Sequence, residues 1–246
     1  MNVFGVRIDA LNAEAAAEIA VTKKGGSIYT PNAVMLDRAR RNKKFRDILN
    51  SSFMNLPDGA GTVVAVRMIC KQKIQRTSGV DFGYSLMARC EKERMKIFLF
   101  GGKDGVAREA VRKLKVLFPK LIICGISDGY GYSADIARNI RKSGADFAFV
   151  CLGSPLQEVW IHENMKYAPE CVFVGLGGSL DIYSGNVKRA PLFFRKTGTE
   201  WAYRMATQPK RLRNLPCLLS FFFHTVSDSV KKIFSMGNMI FKQSKN

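Results

Sequence analysis

The chain has 246 residues, 47% of them hydrophobic, and carries 39 Lys and Arg against 20 Asp and Glu, for a net charge of +19. That length and apolar content are enough to bury the core of one large α/β domain with an appendage. The charge calls for an anionic partner (nucleic acid, a membrane surface or a phosphorylated substrate), while two lone histidines, His162 and His224, speak against a zinc site.

In chain order, residues 4–8 read as a short strand and 13–22 as an Ala- and Glu-rich helix, broken at Gly25-Gly26. A strand over 27–30 ends at Thr30-Pro31-Asn32, and 33–49 reads as one helix. Arg38, Arg40, Arg41, Lys43, Lys44 and Arg46 give that helix a basic face, expected to be solvated. The run 53–56 leads into Pro57-Asp58-Gly59-Ala60-Gly61, then a helix over 62–70. A polar segment, 71–81, holds Arg76 and precedes a helix over 82–93.

From residue 96 onward, strands (96–100, 121–126, 147–152, 172–176) alternate with helices (106–118, 134–142, 157–167), and glycines stand at 101–102, 125, 153 and 177–178. Repeated units of this kind predict a Rossmann-like, mostly parallel sheet with helices on both faces. The apolar run 147–152 reads as a strand buried on both faces, feeding a helix through Gly153-Ser154-Pro155, with Pro155 suited to the first turn. That joint brings Gln157 and Glu158 to the carboxyl edge of the sheet, where open α/β folds bind ligands; an ordinary strand–helix joint would give the same pattern. No glycine turn is a Gly-x-Gly-x-x-Gly and no Gly-Lys-Ser/Thr occurs, so the dinucleotide and P-loop readings lose their main support.

Composition shifts after Asp181. Residues 186–213 hold eight Lys or Arg against one acid, Glu200. Residues 214–246 mix Phe221, Phe222, Phe223, Val226, Val230, Ile233, Phe234, Ile240 and Phe241 with Lys231, Lys232 and Lys242. A core over 1–185 is therefore expected to carry a basic, amphipathic appendage over 186–246, suited to an anionic membrane surface; packing on the chain's own domain or on a second subunit would also use such a segment. The six cysteines form no Cys-x-x-Cys pair and fit a reducing cytoplasm. The first residues, Met1 to Asp9, lack the basic start and apolar core of a signal peptide, and no uncharged apolar run approaches the roughly 20 residues of a spanning helix.

If the ligand is a nucleotide-linked sugar, its departing diphosphate needs neutralising, by a carboxylate-held metal or by arginines and helix N-termini. The chain contains no Asp-x-Asp, so no metal site and no cofactor is expected, and arginines are favoured. Transfer to a hydroxyl needs a base; Asp58, fixed between Pro57 and Gly59, is the best carboxylate, although capping the following helix would occupy it equally well. Arg76 fits either a phosphate contact or a surface charge, and Gln157 either a sugar hydroxyl or a helix start.

With Thr30-Pro-Asn32, Pro57-Asp58-Gly59-x-Gly61, Arg76-x-x-Gly79-x-Asp81, Phe100-Gly-Gly102, Leu152-Gly-x-Pro-x-Gln-Glu158, Val174-Gly-x-Gly-Gly178, Gly185-x-x-x-Arg189-Ala-Pro191, Glu200-Trp201-x-x-Arg204 and Pro209-x-Arg211-x-x-Asn214 in this order, the chain resembles the WecG/TagA/CpsF family of bacterial glycosyltransferases. The resemblance implies an inverting, metal-independent hexosyltransferase. It would move an N-acetylhexosamine, such as N-acetylmannosamine or its uronic acid, from a UDP donor to a polyprenyl-diphosphate-linked sugar. It would work as a peripheral protein on the cytoplasmic face of the cell membrane, in cell-surface polysaccharide synthesis.

By the same resemblance Asp58 is the base, Thr30 and Asn32 line the acceptor side, and Arg76 and Gln157 serve the donor diphosphate. Arg204, Arg211 and Arg213 complete the site from the appendage. Gly101, Gly102, Gly153, Glu158, Gly177, Gly178 and Arg189, which stand in the matching motifs, are assigned to substrate binding with them. Leu156 departs from the lysine often found there. Two rival readings remain at this stage: a basic nucleic-acid-binding protein, for which no recognised motif appears, and a non-catalytic membrane scaffold of the same fold. Self-association is left open.

Overall fold

The structure is a computed structural model that describes residues 1–131 and 133–243, with the backbone alone for Lys210 and residues 233–243. The side chains of Ile233, Phe234, Ile240, Phe241 and Lys242, counted above in the amphipathic tail, lie outside the described residues.

The expected first strand is instead a hairpin, β1 (Asn2–Val3) and β2 (Val6–Arg7), paired antiparallel. Phe4 and Gly5 form its two-residue turn, both at positive φ (52° and 83°), and the Asn2 carboxamide oxygen accepts the Gly5 N–H at 2.8 Å. A tight hairpin needs that left-handed pair. After α1 (Ala13–Ala20) and β3 (Ser27–Tyr29), the single helix expected over 33–49 is two, α2 (Ala33–Arg41) and α3 (Lys43–Asn50). Asn42 breaks it: its extended backbone leaves the helix, and its side chain accepts the Phe45 N–H as the cap of α3.

β4 (Met54–Asn55) leads to α4 (Gly59–Ala65) and a π-turn over Val66–Cys70. α5 (Gly79–Lys92) begins three residues before its expected start because Ser78 caps it. The alternating half follows as expected: β5 (Lys96–Gly101), α6 (Val106–Leu117), β6 (Ile122–Ser127), α7 (Ala134–Lys142), β7 (Phe147–Cys151), α8 (Leu156–Asn164) and β8 (Val172–Gly175).

The large sheet has six strands in the order β4-β3-β8-β7-β5-β6, all parallel. Alternate residues of each central strand feed opposite faces: Ile97 and Leu99 of β5 pack in one core, and Phe98 and Phe100 in the other. Both cores are filled by helices, which is why β7 and β8 are apolar throughout and wholly buried.

Beyond α9 (Ser179–Tyr183), three further helices follow: α10 (Leu192–Lys196), α11 (Glu200–Thr207) and α12 (Leu215–Gln243), with a 3-10 segment, Pro209–Asn214, before the last. α12 lies against α2, α4 and the π-turn, burying Phe221, Thr225 and Ser229. Its polar fastening is Asp37 of α2, which is fully buried. One Asp37 oxygen accepts the Ser220 hydroxyl at 2.8 Å and the Arg40 guanidinium at 3.3 Å; the other accepts Arg41. Arg40, 27% exposed, therefore departs from the solvated face expected of it, whereas Arg41 and Lys43, at 52% and 79%, stay on it.

Asp37 is the buried member of this cluster, and removing it leaves the Ser220 hydroxyl and the half-buried Arg40 without their acceptor. Asp37→Ala is expected to lower unfolding free energy by about 3 kcal/mol in a urea titration and to speed proteolysis within α12 relative to the core. An unchanged midpoint would mean that the fastening contributes nothing.

Candidate active site

A cleft of about 650 Å³ opens over the carboxyl ends of β4, β3, β8 and β7. Each strand delivers its following turn: Asp58 after β4, Thr30 and Asn32 after β3, Gly177 and Gly178 after β8, Gly153 and Ser154 after β7. The far wall comes from the residues after 186, with Glu200, Trp201 and Arg204 of α11, then Arg211 and Arg213, then Cys217, Leu218 and Phe222 of α12.

Asp58 occupies the position before α4, yet its side chain makes no cap hydrogen bond. Its carboxylate accepts the Gly79 N–H at 3.3 Å instead, which frees it from the capping role local sequence allowed. Part of Asp58 reaches the cleft surface while protein encloses the rest. Burial pushes its pKa up; the Gly79 N–H and the charges of Arg204 and Arg76 pull against that, Glu200 adds to it, and the net displacement is upward.

Arg76 is not a mobile surface charge. Its side chain is 20% exposed, and it donates to the Glu200 carboxylate at 3.2 Å. The other Glu200 oxygen is bound by Arg204, one turn further along α11. A single carboxylate thus ties an arginine of the sheet-edge loop to one of the appendage, close enough to Asp58 for all three to influence it. Arg211 completes the group: its Nε donates to Gln208 at 2.5 Å, and burial and neighbouring Arg204 both push its pKa down, against Glu200.

The remaining site residues expected from the sequence divide in two. Asn32 lines the cleft and caps α2, its oxygen accepting the Val34 and Met35 N–H groups. Thr30, also a lining residue, donates to the Gly175 carbonyl at 3.4 Å. Gln157 reaches the cleft, but both ends of its amide are engaged by protein: Oε1 accepts the Gly177 N–H at 2.8 Å, and Nε2 donates to Glu158 at 2.7 Å. It fixes the turn after β8. Glu158 is fully buried behind it and does not line the cleft.

Gly101 and Gly102 lie outside the cleft lining as well, at the end of β5, one strand too far along the sheet. A Cβ on Gly101 would stand 2.4 Å from the Cys151 carbonyl oxygen, so this glycine serves the close approach of β5 to β7. Arg189 stands behind the wall, donating to Asp81 at 2.6 Å and to Ser78 at 3.3 Å, where it holds the start of α5.

Among the lining residues not assigned from the sequence are Glu200, Arg38 and Phe222. The four-residue spacing of Glu200 and Arg204 was the available signal for the first. The signal for Arg38 was Asp37, whose three- and four-residue spacing pairs it with Arg40 and Arg41 and leaves Arg38 out.

A family model described as "Glycosyl transferase WecG/TagA/CpsF family" matches residues 1–233. Over 193 residues the chain is 39% identical to the N-acetylglucosaminyldiphosphoundecaprenol N-acetyl-beta-D-mannosaminyltransferase of Bacillus spizizenii strain W23, covering 78% of this chain and 75% of that protein. Over 198 residues it is 37% identical to the protein of the same description from Bacillus subtilis strain 168, covering 79% and 77% respectively.

The upward pKa of Asp58 has a consequence for stability. Between its unfolded and folded values the folded state holds a proton that the unfolded chain has released, so stability falls as pH rises through the folded value. Asp58→Asn, which cannot ionise, is expected to melt above the wild type at pH 8 and to converge with it near pH 4. Thermal melts across that range check this; a wild type that is the more stable at pH 8 would show that Arg204, Arg76 and Gly79 outweigh burial.

Proposed function

The chain belongs to the WecG/TagA/CpsF family of glycosyl transferases, and from that premise we propose that it moves an N-acetylmannosamine-type sugar from a UDP donor onto a polyprenyl-diphosphate-linked N-acetylglucosamine. The acceptor and the transferred sugar follow the printed activity of the two Bacillus relatives. The observation that carries the reading is Asp58: a carboxylate at the cleft surface, raised by burial and left without a capping role, with arginines beside it.

In the proposed reaction Asp58 takes the proton of the acceptor hydroxyl as its oxygen attacks the anomeric carbon. The bond from that carbon to the diphosphate oxygen breaks, and UDP departs with the bonding pair. Displacement from the opposite face inverts the centre. Arg76, Arg204 and Arg211 offset the charge that grows on the leaving diphosphate, and a dry, preorganised wall makes such charges effective. Among the described residues no three His, Cys, Asp or Glu side chains gather as metal ligands, and the sequence lacks Asp-x-Asp. Charge neutralisation is therefore assigned to arginine.

A lipid-linked acceptor would put the reaction at a membrane surface, which the proposal takes to be the cytoplasmic one. No helix among the described residues is long and apolar enough to cross one. α12 offers a different attachment: Leu219, Phe223, Val226 and Val230, spaced by three or four residues, are 64%, 70%, 51% and 44% exposed. They face away from the buried stripe of Phe221, Thr225 and Ser229, which suits a helix lying in the lipid interface. A nucleic-acid-binding role would need the charge on a continuous face; the cleft instead concentrates arginines around a base.

Asp58→Asn is expected to retain UDP binding and lose sugar transfer by roughly 10²–10⁴-fold. Near-full transfer would remove Asp58 from the role. The triple change Leu219→Gln, Phe223→Gln, Val226→Gln is expected to abolish most flotation with anionic vesicles while leaving UDP affinity unaltered. Unchanged flotation would place the membrane contact elsewhere.

A further inference from the structure

Two cleft arginines, Arg38 and Arg213, are not used by the proposed chemistry, and Arg38 stands apart by its place on the sheet side of the cleft. It lies on α2, half-buried, and lines the cleft. Its neighbours Arg40 and Arg41 are bound to Asp37, but Arg38 takes part in no ion pair among the described residues. Its Nε is buried without a hydrogen-bond partner, and the guanidinium carbon stands 5.9 Å from the centre of the Phe45 ring. A buried guanidinium nitrogen with no partner in the protein is a place where a bound phosphate or carboxylate oxygen fits.

Its surroundings set it apart from the arginines near the base. Asp58 responds to Arg204, Arg76 and Glu200, and Arg211 to Arg204 and Glu200. Arg38 instead acts on Glu158, a carboxyl that burial pushes towards its neutral form and with which it makes no ion pair. Arg76 and Arg204 are both bound to Glu200, whereas Arg38 stands on α2 over the Phe45 ring with no ion pair among the described residues, so the cleft has two cationic places. The reaction brings two diphosphates to it, one leaving with UDP and one linking the acceptor sugar to its lipid. The places differ in their company: Leu218 and Phe222 of α12 line the cleft with Arg38, at the root of the exposed stripe that begins at Leu219.

We propose that Arg38 binds the diphosphate of the lipid-linked acceptor, with the prenyl chain leaving along Leu218 and Phe222 towards the exposed face of α12. This rests on the glycosyltransferase reading above. It divides the labour in the cleft: Arg76, Arg204 and Arg211 serve the diphosphate that departs, and Arg38 the one that stays. A planar guanidinium can hold two phosphate oxygens at once, so lysine is expected to replace it incompletely.

The test is steady-state transfer with purified wild type, Arg38→Gln and Arg38→Lys, varying UDP-N-acetylmannosamine and a prenyl-diphosphate-linked N-acetylglucosamine separately. Arg38→Gln is expected to raise KM for the acceptor by roughly tenfold or more, the scale of a lost charged hydrogen bond. KM for the donor should stay within about twofold, with Arg38→Lys intermediate. Inorganic pyrophosphate should compete with the acceptor in wild type and lose that competition in Arg38→Gln. A thermal melt of each variant separates these effects from unfolding.

An unmoved acceptor KM, or an equal rise in donor KM, would overturn the assignment while leaving the enzyme's activity established. Loss of anionic-vesicle flotation in Arg38→Gln would make Arg38 a membrane contact and overturn it too. A wild type that transfers no sugar to this acceptor from any UDP-sugar would overturn the glycosyltransferase reading and this inference with it.

Discussion

The cleft depends on one electrostatic compromise: a carboxylate enclosed enough to hold its proton more tightly than in water, yet beside the cations that the proposed reaction assigns to a departing diphosphate. Burial alone would leave Asp58 neutral and useless as a base, and strong pairing with arginine would leave it a weak one. Glu200 moderates between these extremes. By occupying Arg76 and Arg204 it keeps either from pairing with Asp58, and its own negative charge lifts Asp58 further. When a diphosphate enters, the two arginines are already oriented and can turn to it.

That arrangement requires residues more than a hundred positions apart to meet. Asp58 and Arg76 follow the sheet's edge strand and the π-turn, while Glu200 and Arg204 sit on α11, beyond the last strand. The cation wall therefore exists only once the segments after 186 have docked. Asp37, gripping Ser220 while holding Arg40 and Arg41, is where that docking is secured. The same helix that completes the cleft exposes Leu219 and Phe223, so cleft formation and the proposed lipid contact share one element.

The parallel sheet was legible because its strands are uniformly apolar and its connections close on glycine turns; β7 and the turn to Gln157 fall where the pattern puts them. What local pattern cannot give is lateral order. Gly101-Gly102 and Gly177-Gly178 look alike in the sequence, but β8 lies beneath the cleft and β5 does not, so only the second pair lines it. Arg38, Arg40 and Arg41 form one basic run in the sequence; the spacing to Asp37 marks the last two as its partners, but that Arg38 lines a cleft with α12 depends on long-range docking. Asp58 was recognisable as a carboxylate fixed at a turn; the Gly79 N–H that decides between capping and cleft lies 21 residues away. Asn42 and the Phe4-Gly5 turn carried their signals openly, in a capping side chain and a glycine, and were overridden by the longer apolar periodicity around them.

The most direct measurement is the pH dependence of kcat/KM for the lipid-linked acceptor in wild type and Glu200→Gln. Activity should rise with pH through one group titrating above the ordinary carboxylate range, since the proposed base, Asp58, acts only when deprotonated. Removing the Glu200 charge should move that rise to lower pH, because a nearby negative charge is lost and two arginines are released onto Asp58. A rise that stays in place in Glu200→Gln, or activity that is flat across the acid range in wild type, would contradict a base tuned by this pair of arginines and their shared carboxylate.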